Sequence, residues 1–335
     1  MIQDNTSTAN CTGNLSFVGG IVGSLRCGNV KGNTSAGNVS GGAYSGGIIG
    51  AIAPCNSTQS IMIDNNKSTS VVTAEYCAGG IVGLVNREVA ITNNNIIIQN
   101  NSHTSGNVTA TNGGLAGGII GYLNNGGIVK RNYSNGNVTI NQWGAGGIIG
   151  SCIPRNSNDT ILIEENYSLC NVSAVNNTGT GHIGGLIGSL YTGMDVNNTI
   201  LIQNNYFRGN VSITQYAGAP LGGFIGIVGH SSFLFTLNVK FQNNYAVPTF
   251  TGNVGNASGF VGYKYNTETT VTYVDNYWQQ EGSGITAGKD VQGATVTGVS
   301  GITAAAMKPG AAFSGWSTSI WTFVSGQYPK LSWEL

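Results

Sequence analysis

The chain has 335 residues, of which 53 are glycine, while only 8% are Asp, Glu, Lys or Arg and the formal net charge is zero. Soluble domains average about 25% charged residues and about 7% glycine, so this composition is unusual for a globular enzyme. Without a basic field we expect no binding of nucleic acid or anionic lipid, and the 40% hydrophobic content is too high for simple disorder. The surface is therefore expected to be neutral and polar.

The N-terminal region is polar and gives no sign of membrane insertion. Its sequence, MIQDNTSTANCTGN, lacks the cationic and apolar regions of a signal peptide, so either a leader has been removed or the sequence is part of a longer chain. No apolar stretch approaches the roughly 18 residues needed for a bilayer span. We expect residues 1–16 to form a polar N-terminal segment ahead of the repeats and predict no membrane span.

A glycine-rich core recurs eight times, beginning with GGIVG at Gly19, at spacings of 27 to 38 residues. Such a period is typical of solenoids and other repeat arrays. A phosphate-binding loop is needed once or twice in a chain, so we interpret the core as a building block in which another backbone comes close to the glycines. The later cores begin at Gly46, Gly79, Gly117, Gly146, Gly184, Gly222 and, in a degenerate form, Ser258.

Between the cores lies an apolar element, for example NIIIQNNS, whose large side chains alternate with a period of two and so predict a strand. GNV[ST] supplies a third short strand in most repeats. Asn occupies one position near the end of every apolar element, where it can form a hydrogen-bonded ladder between coils, and five elements close on a Tyr that can stack. These residues are Asn66, Asn101, Asn132, Asn166, Asn205, Asn244 and Asn276, and Tyr133, Tyr167, Tyr206, Tyr245 and Tyr277.

The pattern predicts an all-β fold: a β-solenoid or β-helix-like stack of about eight repeats over residues 17–278. Residues 279–335 differ from the repeats and concentrate Trp316, Trp321 and Trp333. Repeat arrays need an atypical terminal unit, so we predict a small C-terminal cap there. A tryptophan-lined sugar site is the alternative interpretation.

The cores GGIVGSL, GGIIGYL and GGLIGSL resemble the GLUG motif, a tandem repeat of secreted and cell-surface proteins. DNYWQQEG, GITAAAMK and FSGWSTSIWTFVSGQYPKLSW are similar to the segment that commonly closes such arrays. The chain departs from the motif in having Ile or Phe where Leu is typical, and in its abundance of Asn. The resemblance implies a β-solenoid-like scaffold in an extracellular or cell-surface, often adhesive, protein, with no catalytic residues to transfer.

The six cysteines form no CxxC pair, which makes a zinc site improbable. Disulfides in an oxidising compartment are the preferred interpretation, with buried free thiols as the alternative. The local pairs we predict are Cys11–Cys27, Cys55–Cys77 and Cys152–Cys170.

The sequon N-x-[ST] occurs 18 times. In a eukaryote many of these would be glycan acceptors, whereas in a typical bacterium they would be bare turn residues. Asn66, Asn132 and Asn166 are also ladder positions, and an internal ladder residue cannot carry a glycan. Among the remaining candidates we favour the asparagines of GNV[ST] and of CNVS, those in loops and those near the N-terminus. The full set is Asn5, Asn10, Asn14, Asn33, Asn38, Asn56, Asn100, Asn107, Asn137, Asn158, Asn171, Asn176, Asn197, Asn210 and Asn256.

No catalytic, cofactor or metal site is predicted. The only tight acidic group is Asp159, Glu164 and Glu165, interpreted as solvated surface, and the three histidines occupy different repeat positions. We therefore expect a non-enzymatic, extracellular structural or adhesive glycoprotein that is elongated and carries N-linked glycans. Its expected partners are other copies of itself, joined end to end into a filament, or surface glycans. The alternatives are a carbohydrate- or ice-binding solenoid and, last, a polysaccharide-cleaving β-helix enzyme.

Overall fold

The computed structural model describes residues 1–14, 16–53, 60–86, 96–154, 160–175, 181–191, 198–215, 218–229, 237–265, 269–285, 289–292, 296–308 and 311–334. The chain winds into successive coils whose strands pair in parallel with the equivalent strands of the next coil, so the predicted all-β solenoid is confirmed. Four sheets run along the stack, and we number them in the order in which each coil visits them.

The first and second sheets form the outer wall on either side of one corner. The first sheet contains Ile2–Gln3, Gly28–Lys31, Ile61–Asp64, Ile96–Gln99, Gly127–Lys130, Thr160–Glu164, Asn198–Gln203, Leu237–Gln242 and Thr269–Val274. The second sheet contains Thr6–Ser7, Cys11–Gly13, Thr34–Ser35, Val39–Gly41, Lys67–Ser68, Val72–Ala74, Ser102–Thr104, Val108–Ala110, Tyr133–Asn135, Asn137–Ile140, Tyr167–Ser168, Asn171–Ala174, Tyr206–Ile213, Tyr245–Gly252, Asn276–Gln279 and Val299–Ile302.

The third and fourth sheets lie inside that wall and carry the glycine cores. The third contains Phe17–Gly19, Tyr44–Gly46, Cys77–Gly79, Leu115–Gly117, Gly144–Gly146, His182–Gly184, Leu221–Gly222 and Ala257–Ser258. The fourth contains Val22–Leu25, Ile49–Ile52, Val82–Val85, Ile120–Leu123, Ile149–Cys152, Ile187–Leu190, Ile225–Val228 and Val261–Lys264.

Two apolar cores run the length of the stack. The larger one joins the first and fourth sheets, and the smaller one joins the second and third sheets. In the first sheet Ile61 and Ile63 are fully buried while Met62 between them is half-buried, as the period of two predicts. Each coil adds its own Ile, Val or Leu to both cores, so burial is continuous although no single coil could bury these side chains alone.

The glycines allow the third and fourth sheets to meet backbone to backbone. A Cβ on Gly117 would lie 1.9 Å from the Ile120 carbonyl oxygen and 2.7 Å from the Gly150 nitrogen. A Cβ on Gly150 would lie 2.5 Å from the Gly121 oxygen and 2.7 Å from that of Ala116. No side chain fits at these positions, which confirms that the glycine cores mark a close approach of backbones.

A ladder of asparagines joins the coils at the corner between the first and second sheets. The backbone N–H and Nδ2 of Asn101 both donate to Oδ1 of Asn132, over 3.1 and 3.0 Å, and Asn132 Nδ2 donates to the Ile98 carbonyl over 2.8 Å. The same pattern repeats between coils, which confirms the predicted ladder and extends it at the N-terminal end. Its members are Asn5, Asn33, Asn66, Asn101, Asn132, Asn166, Asn205, Asn244 and Asn276.

The corner itself depends on a left-handed residue directly before each ladder asparagine. Asn, Asp and Gly tolerate this conformation best, and most coils use one of them. The residues with positive φ at this position are Asp4, Gly32, Asn65, Asn100, Arg131, Glu165, Asn204, Asn243 and Asp275.

Residues 1–14 supply the strands of the first coil in the first and second sheets. Ile2 and Gln3 pair with Val30 and Lys31, and Cys11–Gly13 pairs with Val39–Gly41. The polar N-terminal segment is thus part of the stack, and the outer edge of this first coil has no paired strand among the described residues.

The region predicted as a cap has two parts. Val299–Ile302 pairs with Asn276–Gln279, and the Asp290 carbonyl accepts from Phe260 N, so residues 289–292 and 296–302 cover part of the C-terminal end of the stack. Beyond them lie the short α-helix Ala304–Met307, the 3₁₀ turns Ala311–Phe313 and Ser332–Glu334, and an antiparallel pair, Trp321–Thr322 with Lys330–Leu331.

This second part, residues 304–308 and 311–334, folds back along the outside of the stack onto the stacked tyrosines. Four of the five predicted tyrosines, Tyr133, Tyr167, Tyr206 and Tyr245, stack with successive ring centroids 4.4 to 4.9 Å apart. The fifth, Tyr277, packs edge-on against Phe313, with ring centroids 5.2 Å apart. Trp316 and Trp321 are buried against this column, so they form no exposed sugar platform. The side chain of Trp333 is half-buried, and its Nε1 donates to the Glu165 carbonyl over 3.0 Å.

We predict that Gly117→Ala prevents folding or lowers the free energy of unfolding by more than about 3 kcal/mol, because its methyl group would overlap backbone atoms on both sides. The matched control is Gly255→Ala, since a Cβ at Gly255 meets no atom within 4 Å. Urea unfolding of both variants checks this, and equal stability of the two would contradict the close approach.

Candidate functional site

Glu164 and Glu165 of the predicted acidic group form an ion-pair cluster at the corner, and their side chains are only 12% and 8% exposed, so the interpretation as solvated surface is wrong. Lys130 Nζ lies 2.6 Å from Glu164 Oε1 and 3.1 Å from Glu165 Oε1, and Arg131 Nε lies 2.8 Å from Glu165 Oε2. Neighbouring coils thus neutralise both carboxylates. Asp159 lies outside the described residues.

The two described histidines, His103 and His182, lie in different sheets and do not share a site. His103 is fully buried in the second sheet, where neighbouring coils have Ser68 and Ser134, and its Nε2 lies 3.1 Å from the Ser70 carbonyl oxygen. Burial lowers the pKa of His103 to about 4, so it is neutral in the folded protein. His182 is in the third sheet beside Tyr191, 5.6 Å between ring centroids, and His230 lies outside the described residues.

Two further features bear on function. In the part of the chain that the structure describes, no three His, Cys, Asp or Glu side chains are grouped closely enough to hold a metal ion. The described helices are also too short or too polar to cross a membrane.

The predicted disulfides are absent. Among the described residues, Cys11, Cys27, Cys77, Cys152 and Cys170 form no disulfide, so the predicted pairs Cys11–Cys27 and Cys152–Cys170 are wrong. Cys152 belongs to the core between the first and fourth sheets, and Cys170 to the core between the second and third, so closeness in sequence does not bring these two together. Cys77 is buried and unpaired, which also removes the pair predicted with Cys55, a residue outside the described ranges.

The sequons separate into inward and outward positions. Asn33 is fully buried and its Nδ2 donates to Asn66 Oδ1, so its prediction as a glycan acceptor is wrong: the ladder occupies the atom that a glycan would modify. Asn5 begins the ladder but is exposed. Asn10, Asn14, Asn38, Asn100, Asn107, Asn137 and Asn171 are exposed, Asn210 and Asn256 are half-buried, and Asn56, Asn158, Asn176 and Asn197 lie outside the described residues.

Three exposed asparagines, Asn107 and Asn137 of GNV[ST] and Asn171 of CNVS, form a second, outward ladder. Asn137 Nδ2 donates to Asn107 Oδ1 over 3.0 Å, and Asn171 Nδ2 donates to Asn137 Oδ1 over 3.1 Å. Because alternate residues of a strand share a face, the third residue of each of these sequons points outward as well.

That third residue forms a continuous Ser/Thr column beside the asparagines, which sequence analysis did not identify. Adjacent coils are about 4.8 Å apart along it. We call the two columns together the outer face; it carries no charged side chain at these positions. The hydroxyl column consists of Thr12, Ser40, Thr73, Thr109, Thr139, Ser173, Ser212 and Thr251.

The geometry defines the class of protein as a parallel β-solenoid with a neutral, polar outer face. Comparisons with family models, with curated proteins and with solved structures each found no match to the chain. The resemblance to GLUG repeats therefore stays a prediction.

We predict that His103 makes the fold less stable in acid. The folded-state pKa of about 4 lies below the usual 6.5, so the unfolded chain binds more protons between these values, and the stability present above pH 6.5 falls as the pH drops towards 4. The loss attributable to His103 is up to about 3 kcal/mol. His103→Ser, which copies the neighbouring coils, should remove it, as measured by urea unfolding at pH 7, 5.5 and 4. Parallel stability profiles for the two proteins would show that the histidine has no such effect.

Proposed function

We propose that the protein is a non-enzymatic extracellular structural or adhesive glycoprotein that acts through its outer face. The observation that carries this proposal is the outward ladder of sequon asparagines, Asn107, Asn137 and Asn171, aligned on a neutral surface of Asn, Ser and Thr. Such a surface offers many hydrogen-bonding groups to a partner outside the chain. The ion-paired Glu164 and Glu165 and the buried His103 support a scaffold over an enzyme, because acid–base catalysis needs such groups together in a cleft.

Glycosylation fits the outward asparagines and not the inward ones. A glycan replaces one of the two hydrogens on Nδ2 and needs space beyond it. Asn38, Asn107, Asn137 and Asn171 are exposed, and Nδ2 of Asn137 and of Asn171 each donates one hydrogen bond, which leaves one hydrogen to replace. Because the described cysteines form no disulfide, cysteine chemistry does not support an extracellular location. That location is therefore supported by the exposed sequons and by the GLUG resemblance alone.

The proposal includes self-association of a few copies through the exposed edge of the first coil. Nine coils at a spacing of about 4.8 Å give a stack about 40 Å long, so one chain is a short block and an elongated scaffold requires several copies. The first coil presents an unpaired edge with the half-buried apolar residues Val18, Ile21 and Val22, which is a surface that another strand edge can cover. Residues 289–292 and 296–302 obstruct the other end, and this favours pairing of copies through the first coil over an open-ended filament.

The test compares sequons of both kinds within one chain. Glycopeptide analysis of the native protein is expected to find N-linked glycans on some of Asn38, Asn107, Asn137 and Asn171, and none on Asn33, Asn66, Asn132 or Asn166, which are buried. Antibody staining of unpermeabilised source cells, or detection in their medium, is expected to find the protein outside the cell. Staining only after permeabilisation, or glycans on the ladder asparagines, would contradict the proposal.

A further inference from the structure

Two exposed aromatic side chains stand in line at the corner between the second and third sheets. Tyr76 is 45% exposed and Trp143 is 54% exposed, and Trp143 is the one exposed tryptophan of the five in the chain. Cys77, Leu115 and Gly144 are in register across three successive coils, so the residues before them form one column: Tyr76, Gly114 and Trp143.

The spacing within this column is set by the sheet. Leu115 N donates to the Tyr76 carbonyl over 2.6 Å, which ties the two coils together at this corner. Strands lie about 4.8 Å apart, so the two aromatic residues are about 10 Å apart along the stack. Gly114 places no side chain between them, because a Cβ there would lie 2.3 Å from the Tyr76 carbonyl oxygen and 2.7 Å from Ala110 Cβ, so only glycine fits in this coil.

The backbone of Trp143 indicates that its side chain is not there for stability. Its φ is +34°, in the left-handed region that residues with a Cβ avoid. The ring is not buried in compensation for this strain, and a strained backbone at an exposed aromatic residue is consistent with a functional role. Exposed aromatic side chains flanked by polar groups are characteristic of binding surfaces.

The surroundings favour an uncharged, hydrogen-bonding ligand. Asn112, Asn141 and Gln142 flank this column at the corners of the two later coils, and Glu75 is the one charged side chain among residues 75–76, 111–114 and 141–143. Tyr and Trp rings pack against the apolar faces of sugar rings, while neighbouring amides bind hydroxyl groups.

The distance between Tyr76 and Trp143 along the stack matches the repeat of some neutral polysaccharides and not of others. In an extended β-1,4-linked glycan each sugar advances by nearly one strand spacing and is turned over relative to its neighbour, so like faces recur at every second sugar. One sugar per coil would place like faces over Tyr76 and Trp143, with the inverted sugar over Gly114. Helical α-linked glucans do not present their sugars in this way.

We propose that Tyr76, Gly114 and Trp143 form a binding strip for an extended β-1,4-linked polysaccharide of uncharged sugars, lying parallel to the stack. This deepens the adhesive role and rests on the proposed function, since it supplies the ligand class that an adhesive scaffold would hold.

The experiment measures binding of the whole chain to microcrystalline cellulose and to chitin by depletion, with amylose as the α-linked comparison. Soluble cello- and chito-oligosaccharides of two, four and six sugars are titrated against tryptophan fluorescence. We expect binding to cellulose or chitin, with the two arms distinguishing glucose from N-acetylglucosamine. The four-sugar ligand should bind about tenfold or more tightly than the two-sugar ligand, because it reaches both rings.

The variants separate binding from folding. Trp143→Ala and Tyr76→Ala should each weaken binding about tenfold or more, and Val324→Ala, an exposed apolar control in the C-terminal segment, should not. Trp143→Gly should lose binding while its melting temperature stays equal or rises, because glycine accepts the left-handed backbone. No binding to either β-linked polysaccharide, equal binding to amylose, or binding unchanged in both alanine variants would overturn the proposal. Surface staining and glycan analysis would still report on the extracellular role independently.

Discussion

A buried amide side chain must have its hydrogen bonds satisfied, and this requirement sets the register of the whole stack. Each internal ladder asparagine is buried and uses Oδ1 and Nδ2 towards neighbouring coils. A coil shifted by one residue would leave these groups without partners and would turn the apolar side chains of its strands away from the cores. The ladder therefore selects one parallel, in-register arrangement from the many that the apolar pattern alone allows.

The surface follows from the same register. Because equivalent residues align from coil to coil, a residue type that recurs in the sequence becomes a column on the protein. The outward asparagines, the hydroxyl column and the stacked tyrosines all arise in this way, and so does the pair Tyr76 and Trp143 in line across an intervening glycine. A repeat fold thus places equivalent surface groups at regular intervals of about 4.8 Å, a periodicity that an enzyme cleft does not have.

The features that the sequence predicts well are those repeated in every coil. Alternating Ile and Val, the asparagine before the closing residue and the GG pair each recur enough times to define their structural role. The ladder positions of the first two coils escaped prediction because their apolar elements are weak: Ile2 alone precedes Asn5 and Val30 alone precedes Asn33, where later coils have two or three large side chains. Cysteine pairing failed because distance along the chain does not tell which of the two cores a residue enters, as Cys152 and Cys170 show. The exposure of Trp143 could not be read from the sequence either, since it occurs once and depends on a single left-handed turn.

The most direct test of this account compares two asparagines of the same coil, Asn132 in the buried ladder and Asn137 in the outward one. Asn132→Ala removes the acceptor of Asn101 N and Nδ2 and the donor to the Ile98 carbonyl, and each buried group left unpaired costs about 1–3 kcal/mol. Asn137→Ala removes exposed hydrogen bonds and should change stability by no more than about 0.5 kcal/mol. In urea unfolding of unglycosylated protein, we predict a loss of at least about 3 kcal/mol for the first variant and almost none for the second. Equal stability of the two variants would contradict the claim that the buried ladder holds the coils in register.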